Sequence, residues 1–215
     1  MNIATKHESA KDVMSRLRKV YAPALQNDAD RFYSYKLVSL FHAMGAISLP
    51  GDWAEFGVYK GRCARFISSF LTGKRKLHLF DSFEGLPADW IGQWRAGAFK
   101  MDESEIPSFS DPRIQIHKGW FNQTVPAFRA TQTEPLSFLH IDGDLYSSAM
   151  DVLMGLDDLI VPGTILLFDE YMMVADGETS DDEHRALYDW AAQKSRHFEY
   201  LWRTEWMQVA VRVTA

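Results

Sequence analysis

A single cysteine, Cys63, stands among the 215 residues, which excludes an intrachain disulfide and any metal site built from thiolates alone. No apolar run approaches the ~20 residues that a membrane-spanning helix requires. The opening stretch "MNIATKHESAKDV" lacks the apolar core of a signal peptide, so a cytoplasmic protein without a membrane partner is expected. Clustered positive charge is also missing. The formal net charge is −6 and the short run "GKRK" at 73–76 reads as a solvated turn, so no nucleic-acid partner is expected. Internal repeats and low-complexity linkers are absent from the sequence.

What is there suits one ordinary domain: 47% hydrophobic and 24% charged residues allow a full core. Two polar amphipathic stretches come first, "ESAKDVMSRLRKVYA" and "DADRFYSYKLVSLFHAMGAI", and they predict a helical cap over 1–47. From 52 to 215 short apolar strands alternate with helices. "WAEFGV", "KLHLFD", "RIQIHKG", "LSFLHID" and "TILLFDE" read as strands, "GRCARFISSFLTG", "WFNQTVPAFRA", "LYSSAMDVLMGLDDLI" and "SDDEHRALYDWAAQKS" as helices. The end, "FEYLWRTEWMQVAVRV", predicts an antiparallel hairpin. Such alternation implies a Rossmann-like α/β fold, a mostly parallel sheet with helices on both faces. Segment 84–111 is too long for an ordinary connection and carries Trp90, Trp94 and Phe99, which suggests a lid, although these rings would serve equally as core.

In an open parallel sheet, ligands bind beyond the carboxyl ends of the strands, so those tips carry the chemistry. The first tip, Glu55-Phe56-Gly57-Val58-Tyr59-Lys60-Gly61, lets a ligand approach the backbone and a helix N-terminus, though glycines also serve plain corners. Asp81 closes the second strand, where an acid either accepts ribose hydroxyls or caps a turn. At the third tip, Gly119, Trp120 and Phe121 could flank a flat ring or simply begin a helix. The fourth and fifth tips give Asp142-Gly143-Asp144 and Asp169-Glu170-Tyr171. If these converge, repulsion among the carboxylates calls for a proton or a cation. An all-oxygen set selects Mg²⁺ or Ca²⁺, or else Mn²⁺. Carboxylates turned apart into solvent are the alternative. His117 and His140 fall inside strands, where a packed core role is the expectation.

The motifs "EFGVYKGRCARFI", "LFDSFEGLP", "KGWFNQTVP", "HIDGDLYSSAMD" and "LLFDEY" resemble the macrocin O-methyltransferase (TylF-type) family of S-adenosylmethionine-dependent enzymes. The resemblance implies a class I methyltransferase fold with a seven-stranded sheet. It places Glu55, Gly57 and Gly61 along the methionine end of S-adenosyl-L-methionine, Cys63 near its carboxylate, and Phe56, Tyr59 and Asp142 among the residues that bind the cofactor. It puts Asp81 at the ribose, and Ser82, Gly119 and Trp120 near the adenine. It further implies Mg²⁺ on Asp142, Asp169 and Glu170, although the family usually carries Asp where this chain has Glu170. Cys63 stands where relatives often have Ser or Thr, and Gln123 where an Asp is frequent. Leu145 occupies the place of the base lysine of catechol enzymes, so Asp142, or failing it Asp144, is the expected general base. The implied reaction is methylation of a sugar, phenol or polyol hydroxyl in secondary metabolism by a homodimer. A metal-dependent glycosyltransferase using Asp142-Gly143-Asp144 and a non-catalytic cofactor binder are the rival expectations.

Overall fold

The computed structural model describes residues 28–215, with side chains from 34 onward. The helix expected over 8–22, and the side chains of Phe32 and Tyr33, lie outside the described residues.

Helix α1 (Asp28–Ala46) leads into β1 (Asp52–Phe56), α2 (Arg62–Ser68), β2 (Leu77–Asp81), β3 (Ile114–Lys118) and α3 (Phe121–Arg129). Then come β4 (Leu136–Ile141), α4 (Tyr146–Gly155), β5 (Ile160–Phe168) and a small hairpin, β6 (Met173–Ala175) with β7 (Glu178–Ser180). Helix α5 (Asp182–Lys194), β8 (Phe198–Arg203) and β9 (Val209–Val213) complete the chain. The seven-stranded sheet runs β3-β2-β1-β4-β5-β9-β8, parallel through β5 and antiparallel beyond it. Strand order therefore reverses between β1 and β4, the place where ligands bind in such sheets.

Alternation along the strands assigns every side chain to one of two faces. Ala54, Phe56, Phe80, Leu139, Ile141, Leu166 and Phe168 pack beneath α3, α4 and α5. Trp53, Leu77, Leu79, Phe138, Ile165 and Leu167 pack beneath α1 and α2. By the same parity Glu55, His140 and Asp169 belong to the α1 face, at the carboxyl edge where the apolar run stops. Helix α1 presents Lys36, Ser39, Leu40 and Ala43 to that face, none more than 9% exposed. Their three- and four-residue spacing is the helical stripe of a core-facing helix. Lys36 stands at its acidic end.

Three boundaries differ from expectation. Helix α2 stops at Ser68 rather than running to Gly73, because the Ser68 and Ser69 hydroxyls donate back to the carbonyls of Arg65 and Phe66. The β6–β7 hairpin is an addition to the expected elements. Segment 84–111 holds one short 3-10 turn, Glu103–Glu105, and is otherwise irregular. Its Leu86 and Trp90 form a small core with Leu145 at the start of α4, and the Trp90 indole donates to Ser180 and Asp182. Among the described residues no helix is long and apolar enough to cross a membrane.

Candidate active site

The turn after β1 is pressed against the tip of β4. A Cβ on Gly57 would lie 1.8 Å from the Asp142 carbonyl oxygen, and its φ of 93° suits glycine alone. The Asp142 amide donates to the Phe56 carbonyl, which locks the two tips together. Gly61 starts α2 in the left-handed region. Tyr59, Phe83 and Asp144 also adopt positive φ, a strain that surrounding structure must hold in place. All three flank strand tips.

Asp81 is occupied by this turn. Its Oδ2 accepts from the amides of Val58 and Tyr59 at 2.7 and 2.8 Å, and its Oδ1 from Phe83 at 2.7 Å. A carboxylate offers about four acceptor sites, so capacity remains for roughly one further donor rather than two. The Ser82 hydroxyl accepts from the Glu84 amide and stays within its own turn. Phe56 is wholly buried, stacked on Phe80 on the far face, so only its backbone borders the turn. Burial pushes the Cys63 thiol well above its ordinary value, and it stays protonated beside the turn. The Gly119 amide donates to the Asp81 carbonyl and Trp120 caps α3, which keeps the third tip alongside the second.

The acidic residues do converge. The Lys36 ammonium lies between two tips, 2.7 Å from Asp142 Oδ2 and 2.7 Å from Asp169 Oδ2; with Asp169 the contact is an ion pair without hydrogen-bond alignment. Behind it His140 Nδ1 is 3.1 Å from Glu55 Oε1, and His140 Nε2 is 3.7 Å from Asp169 Oδ1. The core role expected of His140 describes its burial but not its partners. Glu183, on α5, accepts the Glu170 amide at 3.1 Å and closes the cluster from the opposite face.

Burial and mutual repulsion sort the charges. Burial alone would depress His140, but Asp169 and Glu55 outweigh it and hold the imidazole up to about 10. Burial likewise opposes the Lys36 charge, yet Asp142 and Asp169 keep it well above its ordinary value. Asp169 goes the other way: burial would raise it, and Lys36 and His140 together hold it well below the usual carboxylate range. Asp144, Glu170 and Glu183 are pushed well up, first by burial and then by the neighbouring carboxylates. For Asp142 burial also wins, against the pull of Lys36.

Two overlapping groups could each hold an ion, with ligand atoms within 4.8 Å of one another: His140, Asp142 and Asp169, and Asp142, Asp144 and Glu170. The expected ligands Asp142, Asp169 and Glu170 are thus divided between two groups that share Asp142. Asp169, Glu170 and Glu183 each keep a buried oxygen without a hydrogen-bond partner. Such orphans are costly, and a hard cation at these groups would satisfy those of Asp169 and Glu170. Sequence reasoning missed Lys36 and Glu183. The stripe 36–40–43 was the available signal for the first, whereas "SDDEHR" reads as a solvated helix start.

Beside this cluster a cavity of about 350 Å³ is lined by Tyr171, Met172, Tyr200, Trp202, Trp206 and Gln208. Phe168 pairs with Val209, so the β8–β9 turn stands at the same edge as Asp169 and Glu170. Tyr171 directly follows Glu170. Its hydroxyl joins those of Tyr200 and Tyr188 and the His184 ring in one network. Tyr35 reaches toward this corner, 3.4 Å from Glu205 and packed near Trp206.

The family model for macrocin-O-methyltransferase (TylF) matches residues 35–193. Demethyldecarbamoylnovobiocin O-methyltransferase of Streptomyces niveus is 30% identical, over 66% of this chain and 61% of its own. Mycinamicin III 3''-O-methyltransferase of Micromonospora griseorubida is 28% identical, over 59% and 58%. A tetracenomycin-C 4'-O-methyltransferase of Streptomyces olivaceus, whose name specifies a dimethoxy-rhamnosyl group, is 29% identical over 60% and 56%. The chain thus spans 56–61% of the length of these curated relatives. Among solved structures, the calicheamicin methyltransferase CalS11 superposes with a TM-score of 0.70 at 19% identity, covering 96% of this chain and 94% of that one. The O-methyltransferase NovP gives 0.68 at 22%, covering 84% and 80%. At these identities the likeness is one of fold, and it agrees with the expected class I methyltransferase architecture.

Proposed function

The chain belongs to the macrocin O-methyltransferase (TylF) family, and from that premise we propose that it transfers a methyl group from S-adenosyl-L-methionine to a hydroxyl of a small secondary metabolite. The observation that carries the proposal is the set of buried and half-buried carboxylates gathered from two adjacent strand tips beside the tight turn at Gly57. Family membership speaks against the glycosyltransferase alternative for Asp142-Gly143-Asp144.

The donor lies over the turn 57–61, with its methionine end along Glu55, Gly57, Tyr59 and Gly61. Its ribose gives one hydroxyl to Asp81, because the amides of Val58, Tyr59 and Phe83 take the rest of that carboxylate. The adenine is held near Ser82, Gly119 and Trp120. Asp142, Asp169 and Glu170, with Asp144 beside them, would hold Mg²⁺. That ion supplies a lower pKa for an acceptor hydroxyl bound to it. Transfer breaks the sulfonium S–CH₃ bond and forms an O–CH₃ bond, leaving S-adenosylhomocysteine. The hydroxyl proton goes to a carboxylate at the β4 tip. That carboxylate is Asp142, which a bound cation would keep ionised once Lys36 has moved off, or failing it Asp144. Alignment of donor and acceptor contributes at most about 7–11 kcal/mol to the barrier reduction.

The cavity beside Glu170 receives the acceptor. Half-exposed rings such as Tyr200 and Trp206 suit the flat face of a sugar or an aromatic scaffold. One relative is named for a rhamnosyl substrate, and a solved neighbour is titled a TDP-rhamnose 3'-O-methyltransferase. We therefore place a deoxysugar hydroxyl first among candidate acceptors. The homodimer and cytoplasmic location expected from the sequence belong to the same proposal.

The test is methyl transfer from labelled donor to deoxysugar-bearing aromatic acceptors, with and without EDTA. Turnover that falls on chelation and returns with Mg²⁺ is expected. Turnover indifferent to chelation would remove the metal, and S-adenosylhomocysteine failing to raise the melting temperature would remove the donor.

A further inference from the structure

Lys36 sits between two carboxylates that a bound ion would share. Its ammonium is 2.7 Å from one oxygen of Asp142 and 2.7 Å from one oxygen of Asp169, residues delivered by neighbouring strands. Both belong to one candidate ligand group, and Asp142 belongs to both groups. A hard dication needs those oxygens at about 2.0–2.6 Å. An ammonium nitrogen already in contact with one oxygen of each bars a dication from those two atoms, and two cations so close repel. The helix that carries Lys36 is anchored independently. Leu37, Leu40 and Ala43 are buried against the sheet, and the Ser39 hydroxyl accepts from the Trp202 indole. The backbone therefore stays while the side chain, on its flexible four-carbon stem, turns away.

Granting that the site takes a divalent cation, we propose that Lys36 is the built-in counter-ion of the metal-free site and that a divalent cation enters only by displacing it. In the metal-free chain the ammonium relieves the repulsion among Asp142, Asp169 and their neighbours, so the cluster does not force the strand tips apart. The same contact competes with the ion and weakens its apparent affinity, as any self-occupied state does. Lys36 thus tunes the metal affinity of the site.

The experiment is Mn²⁺ titration by calorimetry at fixed pH on the full chain and on Lys36→Met. The variant should bind Mn²⁺ about ten-fold or more tightly than the parent, and its melting temperature should start lower and rise further on Mn²⁺ addition. Equal or weaker binding by the variant overturns the competition, while binding by neither protein overturns the cation site beneath it as well. Should Lys36→Met fail to fold, the parent alone decides. The Lys36 ammonium signal in ¹H–¹⁵N NMR should be protected in the metal-free protein and lose that protection as Mg²⁺ is added. A signal unchanged at saturating Mg²⁺, with binding verified by calorimetry, would overturn the proposal.

Discussion

Two histidines on one sheet, one buried and one half-buried, meet opposite fates. His140, in the middle of the sheet, sits between Glu55 and Asp169 and is held up to about 10. His117, on the β3 edge, stacks on Phe80 at 4.4 Å, meets Phe128 edge-on and faces His78 at 3.1 Å. Burial and then His78 push it down to about 4. At neutral pH one is a cation and the other a neutral ring. The residue type is the same, so the difference comes from what neighbouring elements place beside it. The middle of the sheet gathers charge that a reaction can use, whereas the edge has been filled as core.

Removing Asp169 should separate the two regions most sharply. Asp169→Ala leaves Lys36 and His140 as buried cations that have each lost a carboxylate partner. A loss of about 3–5 kcal/mol in chemical denaturation is expected, together with methyl transfer. Next comes the joint between the tips. Gly57→Ala drives a methyl group into the Asp142 carbonyl and should cost on the order of 3 kcal/mol, read as a lower denaturation midpoint. His140→Leu should then cost about 1–3 kcal/mol, because the buried Glu55 carboxyl loses its partner. A cost near zero would place His140 with His117 as filling.

The smallest effect is expected at the edge. His117→Phe should change stability at pH 7 by no more than about 1 kcal/mol. Its pH signature is distinct. The folded pKa of about 4 lies below the ordinary value, so the unfolded chain binds more protons in between. The stability contributed is present above about pH 6.5 and is lost as pH falls toward 4. Melting curves across that window should flatten in the variant. An unchanged acid limb would assign the loss to other groups.

Much of the carboxyl edge was legible because strands announce themselves and their tips follow. Asp142, Asp144, Asp169 and Glu170 stand where apolar runs end, and the sheet order brings those ends together. What was hidden depends on contacts between elements far apart in sequence. Lys36 is 106 residues from Asp142, and lysine is ordinarily a solvent residue, so a stripe that begins with one does not read as part of a site. Glu183 comes from a helix start that looks solvated, yet it is fully buried. His140 required register, since only the pairing of Glu55 with His140 shows that the two side chains share a face. The β6–β7 hairpin carried a signal that went unread: Asp176-Gly177, both at positive φ, is a hairpin-turn pair. A cavity lies at the β8–β9 turn, a matter of packing that local pattern does not express.

Crystals of the protein soaked with Mn²⁺ and S-adenosylhomocysteine, measured at the manganese absorption edge, go straight to the centre of the account. An anomalous peak should appear at the β4 and β5 tips, within about 2.0–2.4 Å of oxygens from Asp142 and of at least one of Asp169 and Glu170, with the Lys36 ammonium moved off. A map without that peak, with Lys36 still between the two carboxylates at saturating Mn²⁺, would contradict it.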